Sequence, residues 1–196
     1  MKSFAAMNSA SEMPTVASLC PEAGEVLFPA GGSGGAWRLE RGVVRLDTVG
    51  RDGERQFASL AIAGDILGCE TLLFGVHTFQ STALTRCVLH AWPGGPLGGD
   101  SLLASLAAAQ RRAAEVVALR GGQAVDRLLA LVRLLADDAG RVVLPMRQDI
   151  ADITALRFET ISRLVKRLEQ AGALRSIRLE GVHATRSFQV DPACLA

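Results

Sequence analysis

Residues 144–177, LPMRQDIADITALRFETISRLVKRLEQAGALRSI, hold two stretches of helical apolar spacing with almost no chain between them. Ile150 and Ile153 point to one side of a short helix over residues 147–153, and Thr154-Ala155-Leu156 reads as the turn. A second helix starts near Arg157 and ends near Gln170, with Gly172 as its stop. At about 100° per residue, Ile161, Leu164, Val165 and Leu168 share one face of it, and Glu159, Ser162, Arg163 and Lys166 share the opposite face. Alone, such a wheel reads as a surface helix with solvated charges. The short helix and tight turn ahead of it make it the second element of a helix-turn-helix, the one that enters the DNA major groove. The polar face has suitable chemistry: an Arg donates two hydrogen bonds to guanine O6 and N7, and a Glu accepts one from cytosine N4.

Charge supports that reading. The 196-residue chain has a formal net charge of only +1, which argues against a general polyanion coat. Residues 141–178 carry eight basic and four acidic side chains, a local +4 that leaves −3 for the remainder. A basic patch confined to one small module is the footprint expected for phosphate contact. Of all residues, 49% are hydrophobic, enough apolar material for one large or two small cores.

The run 158–164, FETISRL, resembles the recognition helix of the Crp/Fnr family of bacterial transcription regulators, most of all its Fnr branch with E-T-I-S-R. The resemblance implies base contacts from Glu159, Ser162 and Arg163; Arg147, Arg157, Phe158, Thr160 and Lys166 are the further candidates for DNA contact. Two positions depart from the family. Phe158 stands where the cyclic-AMP-receptor branch has an Arg, and Arg157 stands where many members have a small hydroxyl residue. The first change removes a guanine contact and leaves an apolar group suited to a thymine methyl. By resemblance, the chain is expected to be a homodimer on double-stranded DNA at a two-fold symmetric, TTGAT-like site. RNA polymerase is the further expected partner.

Upstream, residues 25–92 consist of short β-rich runs at 26–28, 37–39, 43–46, 56–61 and 87–89, punctuated by glycine, with a hairpin signal at Asp52-Gly53. Such spacing suggests a small sandwich or barrel. Gly24-Glu25, Gly42, Asp52-Gly53-Glu54 and residues 64–68 occur in the order of the family's β-roll sensor, and the resemblance covers about residues 20–190. Residues 1–20 lack periodicity and read as a loose arm or a short helix. The glycine-rich residues 31–35 read as a flexible, abbreviated loop.

After a break at 93–99, Asp100 or Ser101 is placed to cap a helix. In it Leu102, Leu106, Ala109, Ala113, Val116 and Arg120 recur at alternating steps of 4 and 3, a heptad seam. A helix lying on its own domain would show the same spacing; the resemblance favours a dimer helix paired with its twin. Gly121-Gly122 marks a hinge, and residues 123–136 read as another helix with Val125, Leu128, Leu129, Val132 and Leu135 inward. Strands at 141–144 and 177–190 complete a winged helix. The expected chain is α+β: a β-roll resembling a cyclic-nucleotide-binding jelly roll at 1–99, a dimerisation helix and hinge at 100–122, and a winged helix-turn-helix at 123–196.

An enzyme reading finds no nucleophile elbow and no phosphate-binding glycine loop. The four cysteines have no C-x-x-C spacing, which gives no zinc or redox-pair signal. No stretch reads as a signal peptide or membrane helix, so a cytoplasmic protein without membrane contact is expected.

The effector is open. Gly68, Glu70, Gln80 and Ser81 stand at the family's effector positions. Cys69 interrupts the Gly-Glu pair, and Gln80 occupies the place of the phosphate-holding Arg, which argues against cyclic AMP. Cys20 alone represents the N-terminal cysteine cluster of the oxygen-sensing branch, which argues against an iron–sulfur cluster. Haem held by His77, as in gas-sensing relatives, stays open. So do a ligand-binding module that gates a partner protein and a DNA binder whose β-domain is only structural.

Overall fold

A computed structural model describes residues 17–92, 102–179, 182 and 186–194. Most of the N-terminal arm, the 93–99 break and the caps at Asp100 and Ser101 lie outside the described residues.

The first half is a two-layer roll of antiparallel strands. One layer holds β1 (Ser18–Leu19), β3 (Ala36–Arg41), β6 (Ile66–Leu67) and β8 (Val88–Trp92) in the order β1-β8-β3-β6. The other holds β2 (Val26–Phe28), β4 (Val43–Val49), β5 (Arg55–Ile62) and β7 (Gln80–Ala83) in the order β2-β7-β4-β5. A single turn of helix, α1 (Thr71–Phe74), separates β6 from β7. Side chains alternate between strand faces, and β4 shows the consequence. Val44 and Leu46 pack between the layers with Phe28, Leu39, Ala61, Leu67 and Leu89. Val43 and Arg45 point outward, to the second half of the chain.

Two local readings change. Ser18-Leu19, expected in a loose arm or a short helix, pairs with His90 and Leu89 of β8 as a strand. Residues 31–35 are pinned rather than free: Gly31 N–H donates to the His77 carbonyl at 2.8 Å, and His77 N–H donates to that of Gly32 at 2.9 Å. Gly34 lies so close to the imidazole that an added Cβ would sit 2.4 Å from His77 Nε2. Glycine serves close packing there, not flexibility.

Helix α2 (Leu102–Ala118) runs along the roll, and Gly122 turns the chain at a positive φ of 76°. Helix α3 (Ala124–Leu135) follows, then β9 (Arg141–Val143), α4 (Arg147–Thr154), α5 (Phe158–Gln170), β10 (Leu174–Ser176) and β11 (Ser187–Val190). The last strands pair in the order β10-β11-β9 beside the helices, which makes the winged helix. The wing's first strand begins at Leu174, three residues before the expected start at 177, because Gly172 reverses the chain immediately after α5 at φ 76°. One core runs through both halves: Val43, Leu60 and Leu84 of the roll share it with Val116, Leu119, Leu128, Leu131, Ile150, Ile153, Ile161 and Phe188.

Candidate nucleic-acid interface

The interface is built outward from α5. Ile161, Val165 and Leu168 are buried, and Leu164 is half-buried against the same core. Full burial of each such side chain stabilises by about 1.5–3 kcal/mol, which fixes the rotation of the helix. That rotation turns Glu159, Arg163 and Lys166 into solvent and leaves Thr160 and Ser162 half-buried at the edges. Phe158 is exposed by 48%, an unusual position for a phenyl ring and a suitable one for meeting a thymine methyl. Arg157 is the exposed N-cap residue of α5. Arg163 is held loosely, its Nε 3.4 Å from the Glu159 carbonyl oxygen, so its guanidinium stays available. Arg147 differs from the rest. It is half-buried at the start of α4, and burial lowers its pKa, a shift opposed by Glu169 and reinforced by Arg186.

The turn between the helices spans residues 155–157, one later than its expected start, because Thr154 continues α4. Its Oγ1 donates to the Ile150 carbonyl at 2.6 Å, which satisfies a buried hydroxyl inside the helix. Ala155 then takes the left-handed conformation, φ 53° and ψ 37°, and the chain reverses into α5.

The last carbonyls of α4 lack intrahelical donors. Two arginines that sequence reasoning did not assign to them supply those donors. Arg120 donates from Nη2 to the Asp152 carbonyl at 2.7 Å and from Nε to that of Ile153 at 3.2 Å, and Arg127 donates to that of Thr154 at 3.3 Å. Arg120, expected in the heptad seam, is thus engaged within its own chain. Val116 requires the same correction. It is 4% exposed in the chain's own core, because α2 lays that stripe on β5. Ala109 and Ala113 are exposed, and Val117, one residue beyond Val116, stands 73% exposed. The side chains of Leu102 and Leu106 lie outside the described residues.

The roll contains a cavity of about 250 Å³ between β6, β7 and α2. Of the expected effector residues it brings together Gly68, Glu70 and Ser81, and it adds Leu46, Asp65, Cys69, Phe79, Ser105 and Ala109. Burial pushes the Cys69 thiol pKa up, and the charge of Glu70 adds to that shift. Glu70 accepts from the Thr78 backbone N–H at 3.2 Å and lies 4.0 Å from His77 Nδ1. His77 and Gln80 do not line the cavity. His77 is 2% exposed, stacks on Phe28 with ring centroids 4.5 Å apart, and turns Nε2 toward Gly34. No helix among the described residues is long and apolar enough to cross a membrane.

Comparison with known proteins agrees with this architecture. The family model "Bacterial regulatory proteins, crp family" matches residues 144–174, the helix-turn-helix. The nitrogen fixation regulation protein FixK of Rhizobium meliloti is 33% identical over 151 residues, covering 72% of this chain and 71% of that protein. The FixK of Bradyrhizobium diazoefficiens is 32% identical over 161 residues, covering 72% of this chain and 66% of that protein. The chain thus spans about two thirds of the length of these relatives. The crystal structure of a Crp-family transcriptional regulator from Thermus thermophilus superposes with a TM-score of 0.66 over 90% of this chain and 94% of its own, at 23% identity, a likeness of fold. With an Fnr-like reading helix on a winged domain behind a β-roll, and relatives alike along most of its length, this chain belongs to the Crp/Fnr family of bacterial transcription regulators.

Proposed function

We propose that the chain acts as a homodimeric, sequence-specific transcription regulator that reads a two-fold symmetric, TTGAT-like DNA site under the control of an effector in the β-roll cavity. One observation carries the reading. The buried stripe Ile161-Val165-Leu168 locks α5 so that Glu159, Arg163 and Lys166 project together from its free side. Arg163 reads guanine, Glu159 the cytosine opposite or beside it, and Phe158 a neighbouring thymine methyl. Arg157 and Lys166 serve phosphates, and RNA polymerase is the partner of the DNA-bound dimer. The dimer forms along the outward face of α2, which carries Gln110, Ala113, Ala114 and Val117, all exposed in the single chain.

The cavity suits a small effector other than a cyclic nucleotide. Its described lining includes two carboxylates, Asp65 and Glu70, and no basic side chain; Arg112, beside the lining, is already paired with Asp65 at 3.2 Å and with Glu115, so a cyclic phosphate would enter without a free compensating cation. His77 fits haem poorly. Its ring is enclosed by Phe28 and Gly34, and a porphyrin would have to separate them.

Selection of binding sites from random DNA tests the proposal. Wild-type protein should enrich an inverted repeat, and Arg163→Ala should bind that site about 1–3 kcal/mol more weakly with relaxed choice at one base pair. An identical site profile for the variant would remove Arg163 from the reading.

A further inference from the structure

The contact between the two halves of the chain is not only apolar. Arg45 projects from the outward face of β4 and is 11% exposed. Asp47, on the same face and 2% exposed, holds its Nε at 2.7 Å. The other end of the guanidinium is thereby aimed across the domain boundary, where Nη1 meets Asp152 at 2.8 Å and Asp149 at 3.3 Å, both on α4. The guanidinium of Arg45 lies over the Phe57 ring, 5.7 Å from its centroid, and that of Arg120 lies over the same ring at 5.2 Å. Arg120 is also the residue that meets the Asp152 and Ile153 carbonyls of α4. A second strap joins the same two bodies: Arg186 donates to the Leu144 carbonyl at 2.7 Å and to that of Leu84, in the roll, at 3.2 Å.

These contacts grip the reading module from behind. They end on Asp149, Asp152 and the last turn of α4, while Glu159, Arg163 and Lys166 of α5 remain exposed. The grip therefore orients the recognition helix without covering it. Strand β4 has a second role as well, because Leu46, between Arg45 and Asp47, lines the cavity. Whatever displaces Leu46 bears on the strand that carries the grip.

We propose that Arg45 is a positioning residue for DNA recognition: anchored by Asp47 on the sensor, it clamps α4 through Asp149 and Asp152 and sets the angle at which each protomer presents its recognition helix. The proposal rests on the dimeric reading above, since that angle matters through the spacing of two half-sites, about one helical turn apart. It differs from base reading in its consequence. Loss of the clamp widens the tolerated spacing and leaves the preferred half-site sequence alone. The fork geometry matters as well as the charge, because only a guanidinium can satisfy Asp47 at one edge and α4 at the other.

The test uses the full chain and symmetric DNA sites with constant half-sites and a centre-to-centre distance varied by single base pairs. Wild-type protein should prefer one spacing by about tenfold or more, and Arg45→Gln should reduce that preference to about twofold or less, a change within the range for residues of one charge network. Hydrogen exchange without DNA should show the α4 amides of Arg45→Gln opening about tenfold faster. Asp152→Asn, which removes the charged partner on α4 and leaves Arg45 paired with Asp47, should shift both readouts in the same direction, and half-site sequence preference should stay the same throughout. An unchanged spacing profile, or unchanged exchange in α4, would overturn the clamp. Should Arg45→Gln not fold, Arg45→Lys decides by the same two readouts, because it keeps the charge and loses the fork. Should wild-type protein favour no symmetric site at all, the dimeric reading falls, and exchange in α4 decides the clamp alone.

Discussion

Ala155 is the only non-glycine residue with positive φ among those described, and it sits at the turn of the helix-turn-helix. A single L-residue in the left-handed region costs about 1–2 kcal/mol, because Cβ crowds the following carbonyl. Glycine avoids that cost but adds about 0.4–1 kcal/mol of chain entropy to the unfolded state. The difference favours Ala155→Gly by about 0.8 kcal/mol, worth roughly 2–3 °C in Tm for a chain of this size. The position is exposed, so no packing term confuses the comparison. Ala155→Val tests the same strain from the other side. A β-branched residue is a poorer fit still, and this variant should lose about 1–3 kcal/mol. Thermal unfolding followed by circular dichroism, at fixed protein concentration, measures all three proteins. If the glycine variant is less stable than the parent, or the valine variant equally stable, strain at the turn is not what sets this conformation.

Val117→Glu changes a side chain that the single chain leaves exposed, so the fold should survive while like charges meet across the paired α2 helices. Light scattering should report monomers, and an intact dimer would place the seam elsewhere. Two aspartates should respond to pH with opposite sign. Burial raises the Asp149 pKa above the ordinary carboxylate value, only partly opposed by Arg45, so the native state holds that proton more tightly and this group's contribution to stability improves as pH falls through the raised value. Asp137 is lowered: burial pushes it up, but N–H donors from Arg141 and Ala139 and the Arg141 guanidinium outweigh that, so its contribution is present above the ordinary value and lost as pH falls through the lowered one. In denaturant titrations Asp149→Asn should be neutral or stabilising at neutral pH, and Asp137→Asn destabilising at neutral pH and harmless in strong acid; the reverse order would contradict both assignments. Isothermal titration with millimolar cyclic AMP should show no specific heat, and micromolar binding coupled to tighter DNA binding would require a phosphate-holding cation that the cavity lining does not include.

Much of the reading module was legible along the chain, because its signals are local. The 3.6-residue period of Ile161, Val165 and Leu168 fixes which side of α5 is buried wherever the helix lies, so spacing alone placed Glu159, Arg163 and Lys166 outward, while Ser162, expected on the same face, lies half-buried at its edge. The hairpin at Asp52-Gly53 was equally local: Gly53 adopts φ 82°, which the turn requires. The heptad on α2 was ambiguous for a physical reason. A helix on its own sheet and a helix against a twin share one periodicity, and only contact with β5 and the common core decided that Val116 faces inward and Val117 outward. Residues 31–35 looked loose because glycine in sequence does not distinguish freedom from tight packing; their closeness to His77 shows the second. The Arg45 clamp was beyond sequence altogether. Arg45 and Asp152 stand 107 positions apart, in segments with no shared local pattern. Their pairing exists only because one continuous core, from Leu60 and Leu84 to Ile153 and Phe188, sets the two halves of the chain face to face. Periodicity determined which side of each element is apolar; which surface that side meets was decided by packing between segments far apart in the chain.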